Sequence, residues 1–188
     1  MQVVGVPSIA AIPGLLAEEL DIRTSTTVES IESVPDGWRL AVTPWREVTR
    51  TLGPFPTVVL AMAPGQARRL LANPAPELAA ALEPVRTATI WVGMLELEGA
   101  DPELPDLIET PDHPVIRKLI REDGKPGRRR DDRRTHWVVH ADPVWSGDRY
   151  DVDRTEIAEL LGTAAHELLQ AISGSVIELL APPVAHRW

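Results

Sequence analysis

The sequence predicts an α+β fold whose substrate-binding part is an antiparallel or mixed sheet. Three observations carry that prediction. Strand-like runs follow one another between residues 22 and 53, with the turn signal "PDG" at 35–37 between two of them. A second series of apolar, strand-like runs lies between residues 87 and 146. One long amphipathic helix, at 156–172, carries the clearest 3.6-residue period in the chain.

Residues 8–20, "SIAAIPGLLAEEL", read as a helix that Ser8 can cap. Ile9, Ile12, Leu15, Leu16 and Leu20 fall near helical spacing, although Pro13 and Gly14 weaken the pattern. Next, Ile22, Thr24 and Thr26 alternate against Arg23, Ser25 and Thr27, as in a half-buried strand. "WRLAV" after the turn answers as a second strand, and "EVTRTLG" as a third. "TVVLAM" at 57–62 is a continuous apolar run, the mark of a strand buried on both faces. A three-stranded meander is thus expected between a helix and a buried strand. Residues 64–83 read as helix in two pieces, broken at "NPAP".

"TATIWVGMLELEG" at 87–99 reads as a long strand. "PVIRKLIR" at 114–121 reads as another, leading into the loop "EDGKPGRRRDDRR". "THWVVHADPVWS" reads as the next. In the helix at 156–172, Ile157, Leu160, Leu161, Ala164, Ala165, Leu168, Leu169 and Ile172 recur at i, i+3, i+4 and i+7. Asp153 with Glu156 resembles a capping box, and Gly174 supplies a stop. Residues 176–188 read as the final strand. No repeat, low-complexity stretch or long linker divides the chain, so residues 1–188 are expected to form a single compact unit.

The net charge of −9 argues against general nucleic-acid binding, which needs a basic footprint. There is no cysteine, hence no disulfide framework and no thiolate metal site. No run approaches the roughly 20 apolar residues of a membrane span. The apolar N-terminus lacks a basic flank and is interrupted by Pro7 and Pro13, unlike a secretory signal. A cytoplasmic location is the expectation, with no membrane partner.

Several phosphate and catalytic motifs are missing. No two glycines are separated by one residue, so the GxGxxG dinucleotide fingerprint does not occur. Neither do GxxxxGK[ST], HExxH or GxSxG. His136 and His140 in "HWVVH" share one strand face and could pair on a metal, but a third ligand would have to come from His113, His166, His186 or a carboxylate. Solvated or hydrogen-bonded strand histidines are the plainer reading, and no metal is expected. Segment 117–134 holds nine basic and four acidic residues, a local +5. It reads either as a phosphate-contacting loop or as a solvated hairpin tip. Among the six tryptophans, Trp91 and Trp137 read as core, Trp145 and Trp188 as strand-end residues able to approach a ligand, and Trp38 and Trp45 as packing against the meander.

The ordered set "VGVPSIAAIPGLLAEELDIRTSTTVESIE", "DGWRL", "FPTVVLAMAPGQARRLL", "GKPGR", "HWVVHADPVWS" and "AHRW" resembles flavin-containing amine-oxidase-like proteins. The resemblance is strongest to the bacterial renalase-like NAD(P)/FAD-dependent oxidoreductases, and it spans almost the whole chain. In that family a GxGxxG strand–turn–helix precedes this region and a second flavin motif follows it. The resemblance therefore implies the middle of a flavoenzyme. Residues 1–64 and 176–188 would be partial remnants of an FAD-binding α/β domain, and 65–175 the substrate-binding domain. Trp188 would then end the chain where the next strand and helix would pack.

By the same resemblance, Val28 matches a valine whose backbone meets the adenine of FAD. Ala63 and Pro64 match the turn leaving the cofactor domain, and Arg187 and Trp188 match the strand beside the flavin. Lys125 and Arg128 are expected on the substrate side. The catalytic residues stay unassigned, because the flavin does most of the chemistry. The implied reaction is oxidation of an amine-like or dihydronicotinamide substrate, and the basic loop would suit a dinucleotide's phosphates. The alternative is a non-catalytic, truncated remnant acting as a binding or interaction module, inactive alone. Unpaired strand edges would favour a homodimer or a complementing chain.

Overall fold

Hydrogen-bond pairing sorts the strands into two sheets, one of three strands and one of six. The computed structural model describes residues 4–98, 103–128 and 133–188. Its elements, in chain order, begin with α1 (Ala11–Leu16), β1 (Thr26–Val34), β2 (Gly37–Pro44), β3 (Arg50–Phe55), α2 (Pro64–Leu71) and α3 (Pro76–Ala81). They continue with β4 (Trp91–Glu98), β5 (Leu107–Glu109), β6 (Ile116–Arg121), β7 (Arg134–Ala141), α4 (Pro143–Gly147), α5 (Arg154–Ser173), β8 (Glu178–Leu179) and β9 (Val184–Arg187). The fold is α+β, and every strand pairing among the described residues is antiparallel. The chain divides into two compact units, Glu19–Thr87 on one hand and the N-terminal residues to Glu18 with Ala88–Trp188 on the other.

In the unit at 19–87 the meander forms as expected, in the order β1-β2-β3. Val34 pairs with Gly37 across Pro35 and Asp36, so the turn signal closes the first hairpin. Ile31, Val42 and Pro44 are its buried strand side chains, and α2 lies against β1, burying Ala67.

In the unit containing 88–188 the sheet order is β5-β6-β7-β4-β8, with β9 also paired to β4. Strand alternation aims Trp91, Leu95 and Leu97 of β4 and Trp137 and Val139 of β7 at one face, and a register shift between Ile116 and Lys118 brings both Ile116 and Leu119 of β6 to it. The apolar stripe of α5 covers that face with Ile157, Leu161, Ala165 and Leu169, all fully buried. Burying each such Leu or Ile contributes about 1.5–3 kcal/mol. Gly162 makes the approach possible: a Cβ there would lie 2.4 Å from Pro183 Cγ. Asp153 caps the helix by accepting from Thr155 N at 2.7 Å, and Gly174 ends it at φ +67°. Ser146, wholly buried, accepts from Trp91 N at 3.1 Å and donates to Asp142 O at 2.7 Å, so its hydroxyl is satisfied.

Several local expectations change. "TVVLAM" is not a strand: no described strand pairs with it, and Val59 is 82% exposed. A buried-strand pattern states a need for two neighbours but cannot supply them. The helix of residues 8–20 shrinks to α1, six residues with Pro13 and Gly14 inside it and no buried side chain, too short to be stable by itself. The first strand starts at Thr26, not at Ile22. "DPVWS" is not strand but the start of α4, since Asp142 accepts from Val144 N and Trp145 N and Pro143 suits the first helical position. The final strand splits into β8 and β9 around Pro182 and Pro183, which cannot donate to a ladder. Trp145 is buried in α4 under the Arg149 guanidinium rather than at a strand end, and Trp45 is 72% exposed rather than packed.

Candidate functional site

The face of the six-stranded sheet opposite α5 carries the other half of the alternation. One cross-strand row runs Lys118, His140, Val92 and His186. The next runs Ile120, Val138, Met94 and Val184. This face is mixed apolar and cationic, and Met94 and Val184 are exposed on it.

A recess of about 550 Å³ opens on this face. Ile90, Val92, Val138 and Trp188 make its apolar wall, and Val4, Gly5 and Ile9 border it. His140, Lys125 and Arg128 supply its polar groups. Burial, then the ammonium groups of Lys118 and Lys125, hold the His140 pKa below its ordinary 6.5. At neutral pH this ring is therefore an uncharged donor–acceptor.

The hairpin "EDGKPGR" delivers the two cations. Glu122 N donates to His136 O at 2.8 Å, continuing the ladder past β6. The chain then turns through Lys125 N to Glu122 O and Arg128 N to Lys125 O, both 3.2 Å. Gly127 sits at φ +72°, and a Cβ there would come within 2.8 Å of Val6. Glu122 Oε1 pairs with Lys125 Nζ, and its Oε2 lies 3.8 Å from Arg128 Nε. Arg129 and Arg130 lie outside the described residues.

Three of the residues singled out from sequence, Lys125, Arg128 and Trp188, thus line one recess. Arg187 does not join them. Neighbours on a strand face opposite ways: Trp188 stacks edge-on with His186 at 5.1 Å, whereas Arg187 lies over Tyr150 and Trp91 and bonds to Tyr150 O. Val28, Ala63 and Pro64 belong to the other unit. Val28 is half-buried in a recess with Gln66 and Arg69, while Ala63 and Pro64 open α2.

Sequence reasoning placed His136 and His140 on one face but did not separate their roles. His140 enters the recess. His136 instead bonds Asp123 through Nδ1 at 2.8 Å, and Asp123 also accepts from its backbone N. Among the described residues no group of three metal-ligating side chains exists. Nor is any described helix long and apolar enough to cross a membrane. Ile90 and Glu122 were missed: Ile90 is placed by its distant pairing with Trp188, whereas Glu122 lies only three and six residues before the two cations it faces, a local signal hidden in the net charge of the loop.

No protein-family model matches the sequence. Among solved structures, the chain resembles a provisionally assigned protoporphyrinogen oxidase from Exiguobacterium sp. 255-15. The TM-score is 0.65 at 18% identity, over 96% of this chain and 38% of that one. A flavoprotein/dehydrogenase from Cytophaga hutchinsonii gives a TM-score of 0.43 at 11% identity, over 87% of this chain and 36% of that one, too slight to carry weight. The chain thus spans less than two fifths of the length of either protein, and the first likeness shows a shared fold.

Proposed function

We propose that this chain forms the substrate-side wall of a flavin-dependent oxidoreductase. The observation that carries the reading is the recess on the sheet face opposite α5: an apolar hollow with His140, Lys125 and Arg128 at its edge, on a fold found within a much longer protein. Recesses of this size and mixed character suit a small organic ligand.

The described residues do not fit the cofactor's diphosphate. Such a group rests on a glycine-rich turn between a parallel strand and a helix N-terminus. Here every described pairing is antiparallel, and GxGxxG does not occur in the sequence. No step through the flavin follows from these residues. What they can do is bind and orient: Trp188 and Val138 offer apolar surface, and neutral His140 can share a hydrogen bond with a substrate. The finer reading is a renalase-like or amine-oxidase-like enzyme. Its substrate would be an amine or a dihydronicotinamide.

A chimera tests this. The chain replaces the matching segment of the Exiguobacterium protein, and the product is passed through gel filtration. A yellow protein that bleaches with an amine or a dihydronicotinamide is expected. A folded, colourless chimera defeats the reading. The second reading is an interaction module, favoured by exposed apolar side chains such as Val48 and Val59 in the unit at 19–87.

A further inference from the structure

Arg128 has a donor that its hairpin leaves unused. The side chain is largely buried, and Nη1 is wholly buried with no hydrogen-bond partner. Leaving a charged donor unmatched away from water is costly. Its carboxylate neighbour is already shared, since Glu122 holds Lys125 Nζ with one oxygen and faces Arg128 Nε with the other. Two cations thus divide one anion at the edge of the recess, and Lys118 stands beside His140 on the adjoining strand. Of the rest of the wall, Ile90, Val92 and Val138 offer nothing polar in their side chains, and Trp188 adds only its indole N–H.

We propose that the recess binds an amphipathic anion: a carboxylate or phosphate head meets Arg128 and Lys125, while an apolar body lies on Ile90, Val92 and Val138. This names the ligand class for the wall described above and rests on reading that face as a binding site, but it does not require a flavin. His140, uncharged at neutral pH, can share a proton with the same head without adding charge. The volume of about 550 Å³ falls within the roughly 300–1,000 Å³ typical of such sites. A chain of net charge −9 repels anions at long range, so affinity for one must come from this local cluster.

Isothermal titration of the full 188-residue chain tests the proposal with 2-naphthoate, 2-naphthyl phosphate and uncharged 2-naphthylmethanol. Either anion is expected to bind at least about tenfold more tightly than the alcohol, as charge-assisted hydrogen bonds imply. Whichever anion binds tighter identifies the head as carboxylate or phosphate. Arg128→Gln should lose about tenfold in anion affinity and leave the alcohol unchanged, whereas Arg39→Gln, exposed in the other unit, should change neither. If Arg128→Gln lowers the thermal midpoint too far to titrate, Lys125→Gln takes its place. Equal affinity for anion and alcohol, no saturable binding of either anion, or indifference to both substitutions overturns the proposal. A colourless chimera with intact anion binding would sink the flavin reading alone.

Discussion

Among the described residues, seventeen buried apolar side chains between Trp91 and Ala185 join into one core, whereas the buried apolar side chains of the unit at 19–87 number five, Pro44 included. Both regions are rich in Val, Leu, Ile and Trp. The difference is a covering layer. The six-stranded sheet has α5, a 20-residue helix whose stripe matches its face. The meander has α2, eight residues long, against β1. Apolar content alone does not make a core; a second layer must meet it with the right period. The two faces of the larger sheet differ in the same way: one packs against α5, and the other carries the recess bordered by Val4, Gly5 and Ile9.

The largest expected effect is on the covered face. Trp137→Ala should cost about 3–5 kcal/mol in urea unfolding, because a wholly buried indole leaves a cavity under α5. A loss below about 1 kcal/mol would mean that the layers can collapse around the gap. Gly162→Ala should cost about 1–3 kcal/mol, since the new methyl meets Pro183. A neutral result would show that the Pro183 turn yields and that α5 is less closely seated.

Acidity sharpens the comparison further. His140 has a folded pKa below 6.5, so the unfolded chain takes up its proton first as pH falls. Stability should therefore decline below about pH 6.5, and His140→Gln should flatten that slope in a thermal-midpoint series. Asp142 and Asp153 act lower. The N–H of Trp145 foremost for Asp142, and that of Thr155 for Asp153, hold each carboxyl below its ordinary 3.8. Their contribution is present above that value and is lost as pH falls through the lowered pKa. Asp142→Asn should remove part of the acid-side loss; an unchanged acid limb would contradict the cap. Smallest of all, Val59→Ser should shift stability by less than about 0.5 kcal/mol. A larger loss would show that this exposed side chain is covered in solution.

Much of the larger unit was legible because its signals are local or periodic. The stripe Ile157, Leu161, Ala165 and Leu169 predicted α5, and Asp153 and Gly174 predicted its ends. In the unit at 19–87 the "PDG" turn predicted the first hairpin. The candidate site was legible in part. Lys125, Arg128 and Trp188 could be named, but their meeting could not be derived from spacing, since the ladder from β6 through β4 to β9 brings them together. β5, three residues long, gave too little pattern to read.

Residue order alone determined the helix period, the turns, the caps and which side chains alternate along each strand, because these depend on backbone geometry within a few residues. Only the tertiary structure decided that "TVVLAM" has no ladder, that Arg187 and Trp188 part to opposite faces, and that Arg128 keeps a buried donor at a recess. Each of those outcomes depends on a hydrogen-bonding or packing partner distant in sequence, and a strand's neighbour is not encoded in the strand itself.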